Sequence, residues 1–156
     1  MKEIARVRLR PTGEIEVPFV LATEQDPINS HFVKQWSREE HLAALSDPNI
    51  GHYVVETVAN RSLVGYLIAV GLQNTNGKIF LKRFVIADKD KGYGRQALRA
   101  FQEFVFGQLG FTCIWLNVYH HNQRARKLYQ SEGYAEIGLS PVEKHIIMSL
   151  TYDKAA

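Results

Sequence analysis

Residues 80–106, FLKRFVIADKDKGYGRQALRAFQEFVF, constrain the fold more than any other part of the chain. Residues 80–86 are rich in aromatic and β-branched side chains and predict a strand. A charged turn follows at Asp88, Lys89, Asp90 and Lys91. Gly92 and Gly94 then open a helical pattern, with Ala97, Leu98, Phe101, Val105 and Leu109 on one face at three- and four-residue steps. A glycine turn feeding a helix N-terminus is a generic anion site. Its backbone N–H groups point outward, the helix dipole is positive there, and a missing Cβ lets a phosphate approach. Lys89, Lys91 and Arg95 surround the turn and supply positive charge.

The rest of the chain fills in a mixed architecture. Residues 4–9 alternate apolar and basic side chains, as a half-exposed strand does. Pro11 and Gly13 suggest a turn, and residues 14–25 are ambiguous between helix and loop. Asn29 or Ser30 is placed to cap a short helix reaching Trp36. Ser37, with Glu40 three residues on, reads as a capping box for a second helix. Strands are expected over residues 51–58 and 63–72, and the NTNG run at residues 74–77 predicts a hairpin into the strand at 80–86. Gly107 and Gly110 mark the end of the following helix. A strand at 112–119, a helix at 122–131 ended by Gly133, and closing strands at 135–139 and 144–152 around Ser140 and Pro141 complete the order. Strands and helices do not alternate strictly, so the expected fold is α+β, with helices packed on a mixed sheet.

Composition narrows the function classes. At 156 residues with 46% hydrophobic and 22% charged side chains, the chain suits one folded domain. A net charge of +3 is too small to argue for nucleic acid. A single cysteine, Cys113, allows neither an intrachain disulfide nor a thiolate zinc cluster. It lies in an apolar strand and reads as a buried, inert thiol. His120 and His121 are adjacent, so they cannot share a helix face as a metal pair. No apolar run reaches membrane-spanning length and the first ten residues carry no signal-like apolar segment, so the expectation is a cytoplasmic protein with no membrane or nucleic-acid partner.

Two elements side by side carry a resemblance. Lys89-Asp90-Lys91-Gly92-Tyr93-Gly94 is similar to the acyl-CoA signature Gln/Arg-x-x-Gly-x-Gly/Ala of the GNAT superfamily of N-acyltransferases, with lysine in the leading position. Asn122, Arg124-Ala125, Leu128-Tyr129 and Gly133-Tyr134 fit that family's second signature at the usual spacings. The resemblance implies a mostly antiparallel central sheet flanked by helices, with a central strand pair that splays apart. It implies acetyl-CoA as co-substrate and a single N-acetyltransferase domain over residues 1–156. The backbone of Phe84, Val85 and Ile86 would bind the pantetheine, and the N–H groups of residues 91–96 the pyrophosphate. These are Lys91, Gly92, Tyr93, Gly94, Arg95 and Gln96, with the Lys89, Lys91 and Arg95 side chains neutralising phosphate. Asn122, otherwise a plain N-cap, would hold the cofactor arm. Tyr129, otherwise a core tyrosine, would protonate the leaving thiolate, since a neutral phenol is the form present at neutral pH. A backbone N–H near Phe84 or Val85 would hold the oxyanion.

The chain departs from a common family pattern. Phe80 and Asn117 stand where many members carry a catalytic glutamate. A water chain, Glu56, Asp88, His52 or His120 is left to take the amine proton, and Glu56 is carried forward as the base. The Leu81–Ile86 strand and the Trp36 to Glu40 region look similar to bacterial polyamine acetyltransferase-like proteins and to the branch acting on ribosomal-protein N-termini. A polyamine would favour acids at the mouth, for which Glu39, Glu40 and Glu56 are candidates, and Trp36 is a candidate for lining the acceptor pocket. The expected activity is therefore direct acetyl transfer to a primary amine of a small molecule, polyamine-like, or of a peptide. A non-catalytic acyl-CoA sensor on the same fold is the alternative. Sheet edges leave room for a homodimer.

Overall fold

A computed structural model describes residues 4–140 and 144–153. The expected turn at Pro141 lies outside them. The described elements are β1 (Val7–Pro11), a 3₁₀ turn (Glu14–Glu16), α1 (Val17–Gln25), α2 (Arg38–Leu45), β2 (Ile50–Thr57), β3 (Leu63–Val70), β4 (Lys78–Ile86), α3 (Tyr93–Gln102), a π-helical turn (Glu103–Gln108), β5 (Cys113–Tyr119), α4 (Gln123–Ser131), β6 (Ala135–Ser140) and β7 (His145–Thr151). The strands form one sheet in the order β1-β2-β3-β4-β5-β7-β6. Every neighbouring pair is antiparallel except β4–β5. This is the mixed, mostly antiparallel α+β sheet expected.

β3 reads LVGYLIAV and is buried on both faces. Leu67 and Ala69 face α3, where Leu98, Phe101 and Val105 pack beside Ile114 and Leu116 of β5. Tyr66 and Ile68 face the other way, onto Val20 of α1 and Val85 of β4. Helices on both faces thus require a strand without polar alternation. β4 changes face partway along. Ile68 pairs with Arg83 and Ala69 with Leu81, so Lys82 is the extra residue of a β-bulge. The bulge restarts the alternation: Leu81 packs on the α3 side, whereas Arg83 two residues later reaches Glu24 of α1 on the other.

The helices follow some of their sequence signals and depart from others. Ser37 closes its capping box: its Oγ accepts from the Glu40 N–H at 3.1 Å, and its own N–H donates to Glu40 Oε1 at 3.0 Å. Pro18 sits in the first turn of α1, where its missing N–H costs nothing. The expected short helix ending at Trp36 is instead a run of turns. Leu109 also departs from expectation. The Leu109 N–H bonds to the Phe104 carbonyl at 3.0 Å, an i to i−5 bond, and this wider turn rotates Leu109 out of the apolar stripe to 41% exposure. Cys113 is half-buried rather than buried. Among the described residues, no helix is long and apolar enough to cross a membrane.

β4 lies close against β3 at Gly65. A Cβ there would lie 2.5 Å from the Val85 carbonyl oxygen and 3.2 Å from Ile86 Cα. Both are backbone atoms and cannot swing away. Gly65→Ala is therefore expected to destabilise the fold by about 2 kcal/mol, read as a lower urea midpoint at unchanged slope; an unchanged midpoint would contradict the close approach.

Candidate active site

The parallel ladder between β4 and β5 runs from Lys78↔Cys113 to Leu81↔Leu116 and stops. Beyond it β4 stays with β3, pairing Phe84 with Leu67, Val85 with Tyr66 and Ile86 with Gly65. β5 stays with β7, pairing Asn117 with Ile147 and Tyr119 with His145. The two strands part, and a cleft of about 1150 Å³ opens between them. Phe84, Val85 and Ile86 form one wall, and Asn117 and Tyr119 line the opposite side. An edge with no strand partner is a template for any extended chain with donors and acceptors at peptide-like spacing.

The glycine turn closes one end. Gly92 adopts φ +79° as the N-cap of α3, with no side chain capping the helix. A Cβ there would also sit 2.8 Å from the Arg6 guanidinium. Intrahelical bonding begins at Gln96, whose N–H reaches the Gly92 carbonyl at 3.3 Å. The N–H groups of Tyr93, Gly94 and Arg95 therefore lack intrahelical acceptors and head the cleft. Lys89 lines the same end and bonds the Ile86 carbonyl. Burial, and then the neighbouring Arg124 charge, hold its ammonium below the ordinary lysine value. Arg95 lies there too, bonded to Ser131 at 2.8 Å and paired with Glu132 at 3.3 Å. Arg124, which sequence reading did not single out as a cation of the site, bridges from α4 to Asp90 at 2.9 Å.

α4 supplies the remaining groups. Asn122 is its N-cap: the side-chain oxygen accepts from the Ala125 N–H at 3.3 Å, and the residue lines the cleft. Tyr129, seven residues on, is 7% exposed, packed in the core beside Tyr134, and faces the cleft. Burial raises the pKa of its phenol, so the hydroxyl keeps its proton at neutral pH.

Three expected site residues lie elsewhere. Lys91 does not line the cleft; its ammonium pairs with Asp88 at 2.9 Å and its carbonyl accepts from Arg6. Gln96 turns its side chain to the N-terminal segment, accepting from the Arg6 N–H at 2.7 Å and donating to the Ile4 carbonyl at 3.1 Å. Glu56 lines a separate concavity with Arg8, Arg10 and Glu16, at the far side of the sheet. Burial pushes its carboxyl up, but bonds from Arg8 at 2.8 Å and Arg10 at 3.1 Å outweigh this and hold the pKa low. Glu56 is thus a strongly paired carboxylate outside the cleft. Phe80 lies against Trp115 with ring centroids 4.1 Å apart. His120 does not line the cleft, whereas His121 does.

Behind β4 lies a buried polar chain that gave no sequence signal. Glu24, in an otherwise mostly apolar helix, is fully buried. Its Oε1 accepts from Tyr66 at 2.8 Å, Arg83 at 3.1 Å and His41 at 2.8 Å. Burial pushes the Glu24 carboxyl up, and these donors, led by His41 and Tyr66, hold it down and ionised. Because His41 Nε2 donates to Glu24, its Nδ1 accepts from His52 Nε2 at 3.0 Å, and His52 Nδ1 accepts from the Thr12 hydroxyl at 2.8 Å. Trp36 covers the chain, with the Arg83 guanidinium 4.4 Å from its ring centroid.

His52 is held neutral in this chain. Burial, foremost, lowers its pKa from 6.5 to about 4. Between those values the unfolded chain binds a proton that the folded chain refuses, so stability is present above the higher value and falls as pH drops toward the lower. The His52 contribution is expected to be a loss of about 2 kcal/mol between about pH 7 and about pH 5, measured by urea unfolding. His52→Gln, though less stable overall, should lose correspondingly less across that window, and equal losses in the two proteins would count against the assignment.

Comparison with known proteins agrees with this geometry. Residues 18–134 match the model of the acetyltransferase (GNAT) family. Two Bacillus subtilis proteins, each described as an uncharacterized N-acetyltransferase, are similar over shorter stretches. YhfO is 42% identical over 48 residues, covering 31% of this chain and 32% of that protein. YycN is 33% identical over 79 residues, covering 49% and 50%. The chain thus matches from about a third to half of the length of these curated relatives. A solved spermidine N-acetyltransferase from Vibrio cholerae, in complex with CoA and spermine, superposes with a TM-score of 0.82 at 19% identity, covering 95% of this chain and 96% of that one. With its parted central strands, its uncapped glycine turn and this family match in one chain, the protein belongs to the GNAT acetyltransferase family.

Proposed function

We propose that this chain is a single-domain N-acetyltransferase that moves an acetyl group directly from acetyl-CoA to a primary amine of a small molecule or peptide. The observation that carries the reading is the parting of β4 and β5 after Leu81 and Leu116, with the α3 N-terminus at one end and Tyr129 beside it. In this reading the β4 edge at Phe84, Val85 and Ile86 bonds the pantetheine as a neighbouring strand would. The N–H groups of Tyr93, Gly94 and Arg95 take the pyrophosphate, with Lys89, Arg95 and Arg124 supplying countercharge. Asn122 spends its oxygen on the helix cap and directs its amide N–H groups to the cofactor arm. Acetyl-CoA supplies an activated thioester carbon.

The free-base amine attacks that carbon, the C–N bond forms, and the β4 backbone near Phe84 or Val85 holds the oxyanion. As the C–S bond breaks, the Tyr129 hydroxyl gives its proton to the thiolate and regains one from solvent. The proton lost by the amine passes to water in the open cleft, since Glu56 does not reach it. Polyamines belong among the acceptors to be tested, because the fold is shared with a spermidine N-acetyltransferase. A cytoplasmic location is part of the same proposal. The homodimer expected from the sheet edges finds support in β6, an edge strand whose Ile137 and Leu139 are 62% and 64% exposed.

A CoA-release assay with acetyl-CoA and a panel of amines tests the reading. Tyr129→Phe is expected to lower kcat by about 100-fold while leaving the KM for acetyl-CoA within about threefold. Tight acetyl-CoA binding with no release across polyamines, amino acids, aminoglycosides and peptides would instead favour the non-catalytic sensor.

A further inference from the structure

Residues 26–37 join α1 to α2 through turns, yet they supply part of the cleft wall, including Phe32, Val33 and Lys34. A segment without a ladder of its own keeps its shape only where other elements hold it. Asn29 holds the first half: it is buried, and its Nδ2 donates to the Thr23 carbonyl of α1 at 2.9 Å. Glu24 holds the second half. Its Oε2 accepts from the Trp36 N–H at 3.2 Å, while Oε1 gathers Tyr66, Arg83 and His41. One buried carboxylate thus ties the end of the segment to β3, β4 and α2 at once. The Arg83 guanidinium that it fixes lies 4.4 Å from the Trp36 ring centroid, and Trp36 and Val33 pack together against Val20, Tyr66, Ile68 and Val85. Between the two anchors, Phe32 reaches over the parted strands to His121, with ring centroids 5.3 Å apart. Neither Glu24 nor Trp36 is among the described residues lining the cleft, and Glu39 and Glu40, on the first turn of α2, are not among them either.

An apolar residue in place of Glu24 would pack in the same layer at less cost in desolvation, but it could accept from none of these donors. The Trp36 N–H precedes α2 and takes its acceptor from Glu24 rather than from its own segment. We infer that Glu24 is a positioning residue for acceptor recognition: it does not touch the amine, but through Trp36 and Arg83 it sets where Phe32, Val33 and Lys34 stand. This rests on the transferase reading, in which the glycine-turn end takes the cofactor and the amine lies against this wall.

The test separates positioning from stability. Kinetics use the full chain, acetyl-CoA and whichever amine of the panel gives the highest kcat/KM. Glu24→Gln keeps the size of the side chain but puts an amide N–H₂ where the carboxylate accepts. It is expected to raise the KM for that amine by about tenfold and to leave the KM for acetyl-CoA within about twofold. Trp36→Leu takes the ring from Arg83 and keeps the carboxylate, and it decides the matter where Glu24→Gln does not fold. It should raise the same KM by about threefold. His52→Gln is the control: His52 bonds His41 and Thr12 rather than the segment, so the variant should lose stability with both KM values unchanged. An unchanged amine KM in the first two variants, an equal rise in both KM values, or an equal rise in His52→Gln overturns the assignment. Fluorescence reads the anchor without turnover. Trp36 and Trp115 are the two tryptophans of the chain, so a Trp115→Phe background reports Trp36 alone. Adding Glu24→Gln should make its emission about twofold more sensitive to acrylamide quenching while the protein stays folded. If no amine releases CoA, the transferase reading fails and quenching judges the anchor by itself: a rise supports it, and unchanged quenching ends it.

Discussion

The site depends on hydrogen bonds that β4 and β5 do not make. Four register pairs hold these parallel strands together, and after Leu81 and Leu116 each keeps only its outer neighbour. A buried strand edge left open is ordinarily a liability. Here the opening is bracketed by rigid parts, β3 behind β4 and β7 behind β5, so it cannot close by local relaxation. The glycine turn, the α3 N-terminus and α4 are then ordinary pieces arranged around one gap.

The bulge at Lys82 is the second determinant. By adding one residue it sends Leu81 to the α3 core and Arg83 to the α1 side, where Glu24 receives it. Without it the side chains beyond Leu81 would exchange faces, and an arginine would enter the apolar layer under α3. The buried Glu24–Arg83 pair is therefore better understood as fixing which way β4 faces than as a source of net stability, because desolvating two charges offsets most of their attraction.

Much of this was legible in the sequence because the signals were local. Ser37 with Glu40, Asn122 ahead of Ala125, and Gly92 before the α3 stripe each declare their geometry within four residues. What the sequence concealed was long-range. Glu24 looks like a surface acid until Tyr66, His41 and Arg83, distant in the chain, converge on it. Gln96 and Lys91 sit inside the glycine-turn motif, yet both engage the N-terminal segment and its surroundings, Gln96 through Ile4 and Arg6 and Lys91 through Arg6 and Asp88. Glu56 offers a carboxylate in the sequence, but two arginines of β1, far from it in the chain, pair with it. Leu109 fits a helical stripe only while the helix stays α, and a single wide turn removes it.

The chain from Glu24 through His41 and His52 to Thr12 has a direction, since each donor is fixed by the acceptor before it. A proton added at His41 Nδ1 would make His52 Nε2 an acceptor. The His52 proton would then sit on Nδ1 and be given to the Thr12 oxygen, and the threonine hydroxyl hydrogen would turn away. The orientation of one hydroxyl just beyond β1 is thus tied to the charge state beside Arg83, through contacts that reverse donor and acceptor without any heavy atom having to move.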